Sequence, residues 1–297
     1  MPGCNAAEEL VSALLRRDFL RLSAAALAAA SCTQPRSTMN TNPAAPMPVV
    51  FVSHGAPTLA LDARAGADFA RLAGQLPTPR AVLVVSAHWL DAPPTLGTRT
   101  QRPLLYDFSG FPAELYRLRY DAPAAADLAD QLQSLLPSLQ RNDERPWDHG
   151  VWVPLLHMYP RHDVPVLQVS MPYRWTPAQM FAFGRQLASL RQQGVLVLAS
   201  GGAVHNLGRL DWNGGDTPPA WAARFEGWLR ERLTAHALDD VVAFREKAPD
   251  RALAHPTDDH FVPLLVAAGA GAEAGPVTFP ITGWEYGSLS RLAVRFG

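Results

Sequence analysis

"AVLVVSAHWL", residues 81–90, is the stretch that decides the fold. Val82 to Val85 are apolar without interruption, so a strand here is buried on both faces. The run then narrows to Ser86 and Ala87 and delivers His88 and Trp89. The same design recurs twice: "PVVFVSHGAP" (48–57) runs into His54, and "GVLVLASGGAVHNL" (194–207) runs through small residues into His205. One histidine after a strand is most often a hydrogen-bonded turn residue. Three of them after three buried strands point to one place, because functional groups in open α/β sheets gather beyond the carboxyl ends of the strands.

Outward from these strands the chain alternates. Helical spacing covers 63–76, 122–136 (opened by Pro123), 148–159, 176–194, 219–237 and 258–271. Thr176 caps the fourth of these, with Pro177 in its first turn and Gly194 at its end. Residues 164–171 read as a further strand. The alternation predicts one α/β domain over 47–297. Its sheet is central and mainly parallel or mixed, helices flank it, and a metal site lies beyond the C-terminal ends of the strands.

Composition excludes several classes. The 297 residues are 48% apolar and 18% charged, as in an ordinary globular protein, and the net charge of −1 gives no field for nucleic acid or an anionic membrane. Beyond the N-terminal region no apolar run is long enough to span a bilayer. The first 46 residues are different in kind. "LLRRDFLRLSAAALAAASC" (14–32) pairs Arg16 with Arg17 and continues into a short Ala/Leu stretch, the pattern of a twin-arginine export signal. A polar, Pro-rich linker follows (33–48). The expectation is export to the periplasm, the alternative being a cytoplasmic chain starting at Met39 or Met47. Cys32 leaves lipidation open.

Cys4 and Cys32 both lie in that N-terminal piece, so any metal in the body is held by nitrogen and oxygen. His157, His162 and His236 read as surface or packing residues. His54, His88, His149, His205, His255 and His260 stand at the start or end of an element. Imidazole sites without thiolate suit Zn²⁺ or non-haem Fe²⁺, and three protein ligands with open positions mark a catalytic site.

"SHGAP", "SAHW", "DFSGFPAELY", "DHGVWVPLLHMYP", "SGGAVHNLGRLDW", "HPTDDHFVPLL" and "GWEYGSLS" follow one another across nearly all of 47–297. In that order they resemble the class III extradiol ring-cleavage dioxygenases, in particular the 4,5-DOPA dioxygenase branch. The resemblance implies one mononuclear metal, with Fe²⁺ as the working ion and Zn²⁺ often occupying such sites. It implies His54, His88 and His260 as ligands. It makes His205 the acid/base beside the metal, with a fourth-ligand role left open. The substrates implied are O₂ and a catechol, DOPA-like or caffeate-like. His149, between Asp148 and Gly150, is a second catalytic candidate, equally readable as a helix-start residue. "HPTDDHF" also offers Asp259 and His255 as rivals to His260, since other branches use two histidines and a carboxylate. Neighbours 259 and 260 point ~100° apart on a helix and cannot share an ion. Trp89, Phe111 and Trp284, with Phe108 and Tyr116, are candidates to wall a flat aromatic pocket.

The chemistry fits those residue types. Three neutral ligands leave positions for two catechol oxygens and O₂, and a histidine near its ordinary pKa of ~6.5 both takes and returns a proton. Two other functions remain on the same scaffold: a zinc hydrolase, and a binding protein without redox chemistry. The absence of an obvious carboxylate base beside the histidines weighs against the hydrolase. A retained His205 weighs against the binder.

Overall fold

The apolar runs become the inner strands of a sheet covered on both sides. The computed structural model describes residues 45–213 and 215–297. Its strands are β1 (Val49–Ser53), β2 (Ala81–Leu90), β3 (Thr95–Leu96), β4 (Gln140–Arg141), β5 (Val166–Met171), β6 (Val195–Gly201), β7 (Val277–Ile281), β8 (Trp284–Glu285), β9 (Leu289–Ser290) and β10 (Ala293–Phe296). Its helices are α1 (Ala63–Gly74), α2 (Ala126–Leu135), α3 (His149–Met158), α4 (Pro177–Leu187), α5 (Ala220–Thr234), α6 (Leu238–Val242), α7 (Phe244–Lys247), α8 (Arg251–Ala254) and α9 (Val262–Ala270). Eight strands form one sheet in the order β4-β3-β5-β2-β6-β1-β10-β7. The inner four, β5-β2-β6-β1, are parallel, and β10, β7 and β3 join antiparallel, so the sheet is mixed. β8 and β9 form a separate hairpin.

Alternation along each inner strand builds two cores. Val49, Phe51, Leu83, Val85, Val197 and Ala199 face α2, α4, α5 and α9. Val50, Val52, Val82, Val84, Leu196 and Leu198 face α1 and α3. Both neighbours of every inner residue are therefore buried, which is why no polar alternation marks these strands in the sequence.

The element ends show where local pattern was overruled. β2 runs on through Leu90, so His88 is a strand residue rather than a turn residue. The helix expected from residue 122 starts at Ala126, because Pro123 and Ala124 lie alongside Val166 of β5. The helix expected from 258 starts at Val262, and the freed residues 258–261 make the turn that carries His260. Thr176 and Gln179 form a reciprocal cap on α4, and Gly194 closes the following 3-10 turn at φ 71°. Among the described residues no helix is long and apolar enough to cross a membrane. The segment read as an export signal lies outside the described residues.

Candidate metal centre

The even-numbered residues that face α1 and α3 continue past the strand ends as His54 after β1, Ser86 and His88 in β2, and Ser200 in β6. The N-terminus of α3, with Asp148, His149 and Gly150, sits on the same side. Ser200 Oγ donates to the Gly150 carbonyl at 2.5 Å, so it accepts from His54 Nδ1 at 2.9 Å. That leaves His54 Nε2 unprotonated. This nitrogen lies 3.0 Å from His88 Nε2, and both belong to a pocket in which His54 is only 2% exposed. One ring nitrogen from each of His54, His88 and His149 falls within 4.8 Å of the other two.

The remaining imidazoles close around these three. The His260 ring lies 5.3 Å from His54 and 4.9 Å from His88 between centroids. Its carbonyl accepts from Gly202 N at 2.9 Å, and a Cβ on Gly201 would come within 2.2 Å of that oxygen, so the glycine is what lets the His260 turn reach the end of β6. His260 Nδ1 meets Asp259 Oδ2 at 2.5 Å, which again frees Nε2. His205 stacks on His260 at 3.5 Å with planes 2° apart. A ring nitrogen binds a metal in the plane of its ring. Two parallel planes separated by a stacking distance do not aim at one ion, so His205 and His260 do not both ligate in this arrangement.

A layer of hydrogen bonds holds this cluster. Asp107 Oδ1 accepts from the His149 backbone N at 3.0 Å and from Nδ1 at 2.9 Å, while Oδ2 lies 3.5 Å from His88 Nδ1. Asp148 is fully buried under α3, accepting from Ser86 Oγ at 2.7 Å and Gln168 Nε2 at 2.5 Å. Burial pushes its carboxyl pKa up against those two bonds. Arg145 ties the layer to β2, its Nη2 donating to the His88 carbonyl at 3.0 Å.

These surroundings keep His54, His88 and His205 neutral. Burial first, then the neighbouring rings, hold His54 well below the ordinary histidine range. The same causes in the same order bring His88 to about 2. His205 comes to about 3 through burial and then His260 and His255, far from the ordinary value that the sequence suggested for it. Burial would raise Asp107 and Asp259. The hydrogen bonds from His149 on the one and from His260 and Thr257 on the other outweigh it, so both stay below the usual carboxylate range. Neutral His54 and His88 rings that bring two nitrogens to 3.0 Å suit one divalent ion, which would replace the proton between them. Nitrogens bound at ~2.1 Å and near 90° about an ion would be ~3.0 Å apart. The donor set therefore fits a metal held by nitrogen.

Other candidates fall elsewhere. His255 is fully buried between Phe225 and Phe261, donates Nε2–H to the Ala203 carbonyl at 2.9 Å, and is a packing residue rather than a rival ligand. Asp259 spends its carboxylate on His260, and Asp258 on Arg245 and Arg251. Trp89 is 4% exposed with the Arg145 guanidinium 5.3 Å from its ring, so its ring packs in the interior against Arg145. Trp284 packs on the α5-side core. Phe111 does approach the site, edge-on at 5.5 Å to Phe108, which lies edge-on at 5.7 Å to His149. Of the three histidines read as surface or packing residues, His157 bonds the Leu59 carbonyl through Nε2. The expectation that no carboxylate stands beside the histidines is corrected twice over, by Asp107 and Asp259. Asp107 carries no signal of its own in the sequence beyond its place in "YDFSGFP".

With this geometry established, three comparisons are informative. A family model, the catalytic LigB subunit of aromatic ring-opening dioxygenase, matches residues 49–297. A 4,5-DOPA dioxygenase extradiol of Beta vulgaris is 37% identical over 261 residues, covering 83% of this chain and 95% of the relative. One of Escherichia coli (strain K12) is also 37% identical over 261 residues, covering 84% of this chain and 95% of the relative. The crystal structure of an uncharacterized protein from Escherichia coli K12 is similar with a TM-score of 0.73 at 35% identity, covering 84% of this chain and 100% of that one.

Proposed function

This chain belongs to the family of the catalytic LigB subunit of aromatic ring-opening dioxygenases and is an extradiol ring-opening dioxygenase, and on that premise we propose that it opens a catechol, DOPA-like or caffeate-like, at one mononuclear ion held by His54, His88 and His260. Fe²⁺ is the working ion in this reading, with Zn²⁺ an alternative occupant. The observation that carries it is the pair of Nε2 atoms on His54 and His88, 3.0 Å apart in a buried histidine cluster. When bound, the ion supplies a Lewis-acidic, redox-active centre at which two adjacent ring oxygens and O₂ meet.

The chain's own residues then divide the work. Phe108 lies on the His149 side of the cluster and His205 on the His260 side. A flat ring lying along Phe108 and Phe111 would have His149 within reach, and its Nε2 is an acceptor because Nδ1 keeps its proton on Asp107. His205 has no side-chain hydrogen-bond partner among the described residues and is held by stacking, which leaves its nitrogens for the substrate. It takes a phenolic proton and returns it as the ring opens. Burial of the cluster keeps water from competing for these bonds. This assignment separates His260 from His149, and metal analysis of the full chain tests it. His260→Gln should lose the ion and His149→Gln should keep it. The reverse result would make His149 the third ligand.

Export is part of the reading and rests on residues 14–32 alone. Arg16→Lys with Arg17→Lys in the full chain should retain the protein in the cytoplasm, as measured by cell fractionation. Unchanged periplasmic amounts, or a mature N-terminus at Met39 or Met47, would contradict it.

A further inference from the structure

Asp107 stands 42 residues before His149, on the loop that also carries Phe108 and Phe111. It meets two imidazoles at once. Oδ1 takes the His149 Nδ1 and the His149 peptide N–H, at 2.9 and 3.0 Å, and Oδ2 faces His88 Nδ1 at 3.5 Å. An ionised carboxylate only accepts, so the His149 Nδ1 bonded to it is the protonated one and His149 presents an unprotonated Nε2 on its far side. In the metal-free chain His88 Nε2–H donates to the bare His54 Nε2 at 3.0 Å, and Oδ2 at 3.5 Å is the acceptor placed to take that proton on Nδ1 when Nε2 binds an ion. The bond to the peptide N–H pins the carboxylate to the first turn of α3, so it cannot follow either ring alone.

We infer that Asp107 is a positioning residue that sets the tautomer of His88 and His149 together and so aims both Nε2 atoms into the centre. It also ties the metal centre to the aromatic loop, because Phe108 is the next residue and packs edge-on against His149. His54 and His260 have separate anchors in Ser200 and Asp259, so Asp107 acts on one half of the cluster only. The metal part of this inference rests on the histidine cluster being a metal centre. The tautomer of His149 does not.

The test uses the full chain with ¹⁵N-labelled histidine and long-range ¹H–¹⁵N correlation spectra, with and without Zn²⁺. In the metal-free chain His149 should carry its proton on Nδ1, and His88 should move its proton from Nε2 to Nδ1 when Zn²⁺ is added. Asp107→Asn keeps the shape but puts an amide NH₂ where one of the two rings needs an acceptor, so one ring should switch tautomer. Zn²⁺ affinity should fall by roughly 10–100-fold, the usual effect of losing an outer partner of a ligand. The metal-free melting temperature should stay close to that of the parent, a separation that loss of folding would not produce. If Asp107→Asn does not fold, the spectra of the unaltered chain still decide. A proton on Nε2 of His149 in the metal-free parent, no shift of the His88 proton to Nδ1 with Zn²⁺ bound, or parental Zn²⁺ affinity in a folded Asp107→Asn, overturns the inference. Expected tautomers in a chain that binds no Zn²⁺ would support the positioning role and sink the metal-centre reading instead.

Discussion

Alanine at His54 or at His88 should give a folded chain that holds no metal and opens no ring. Each change removes one of the two nitrogens that lie 3.0 Å apart, and no side chain replaces it: Ser200 stops at His54 Nδ1, and Asp107 lies on the far side of His88. Loss of an outer partner already costs 10–100-fold in metal affinity, and loss of a ligand costs more. Folding should suffer less, because the strands are held by the two cores on either side of the sheet. The imidazoles, kept neutral by burial, add little that the remaining rings cannot supply. Metal content by atomic absorption, read beside the melting curve, checks this. Full occupancy in His88→Ala would remove it from the ligand set.

His205→Gln should separate chemistry from binding. The ring lies parallel to His260 at 3.5 Å, outside the plane in which His260 would hold an ion, so the variant should keep its metal. Glutamine still forms hydrogen bonds but carries no exchangeable ring proton. kcat should fall by roughly 10²–10⁴-fold, the usual worth of a positioned acid/base, with catechol affinity nearly unchanged. That is ~3–5 kcal/mol of barrier. Burial and the His260 and His255 rings keep His205 neutral in the metal-free chain, the form a base needs, and also make it a weak base. Loss of metal in His205→Gln would make it a ligand, and near-parental turnover would pass the proton work to His149.

How much of this was legible in the sequence depended on where each residue's partners lie. The inner strands were legible because burial on both faces leaves an uninterrupted apolar run, as in Val82–Val85. The histidines were legible because small residues precede them. The shortest strands were not: β3, β4, β8 and β9 are two residues each, too short to show a period. Asp107 was invisible because its partners are 42 residues away at His149 and, across the sheet, at His88. The aromatic candidates divided for the same reason. Phe111 and Trp89 look alike in sequence, yet strand pleating turns Trp89 away from His88 and under Arg145. The lowered pKa of His205 was equally hidden, since it comes from burial and from His260 and His255, brought close only by the fold.

The most direct measurement of the central claim is oxygen uptake by the full chain loaded anaerobically with Fe²⁺ and then given a catechol. The account predicts one O₂ consumed per ring opened, the appearance of a yellow ring-opened product, and neither in His54→Ala. Turnover without O₂ consumption, supported as well by Zn²⁺ as by Fe²⁺, would contradict it and make the centre a hydrolase.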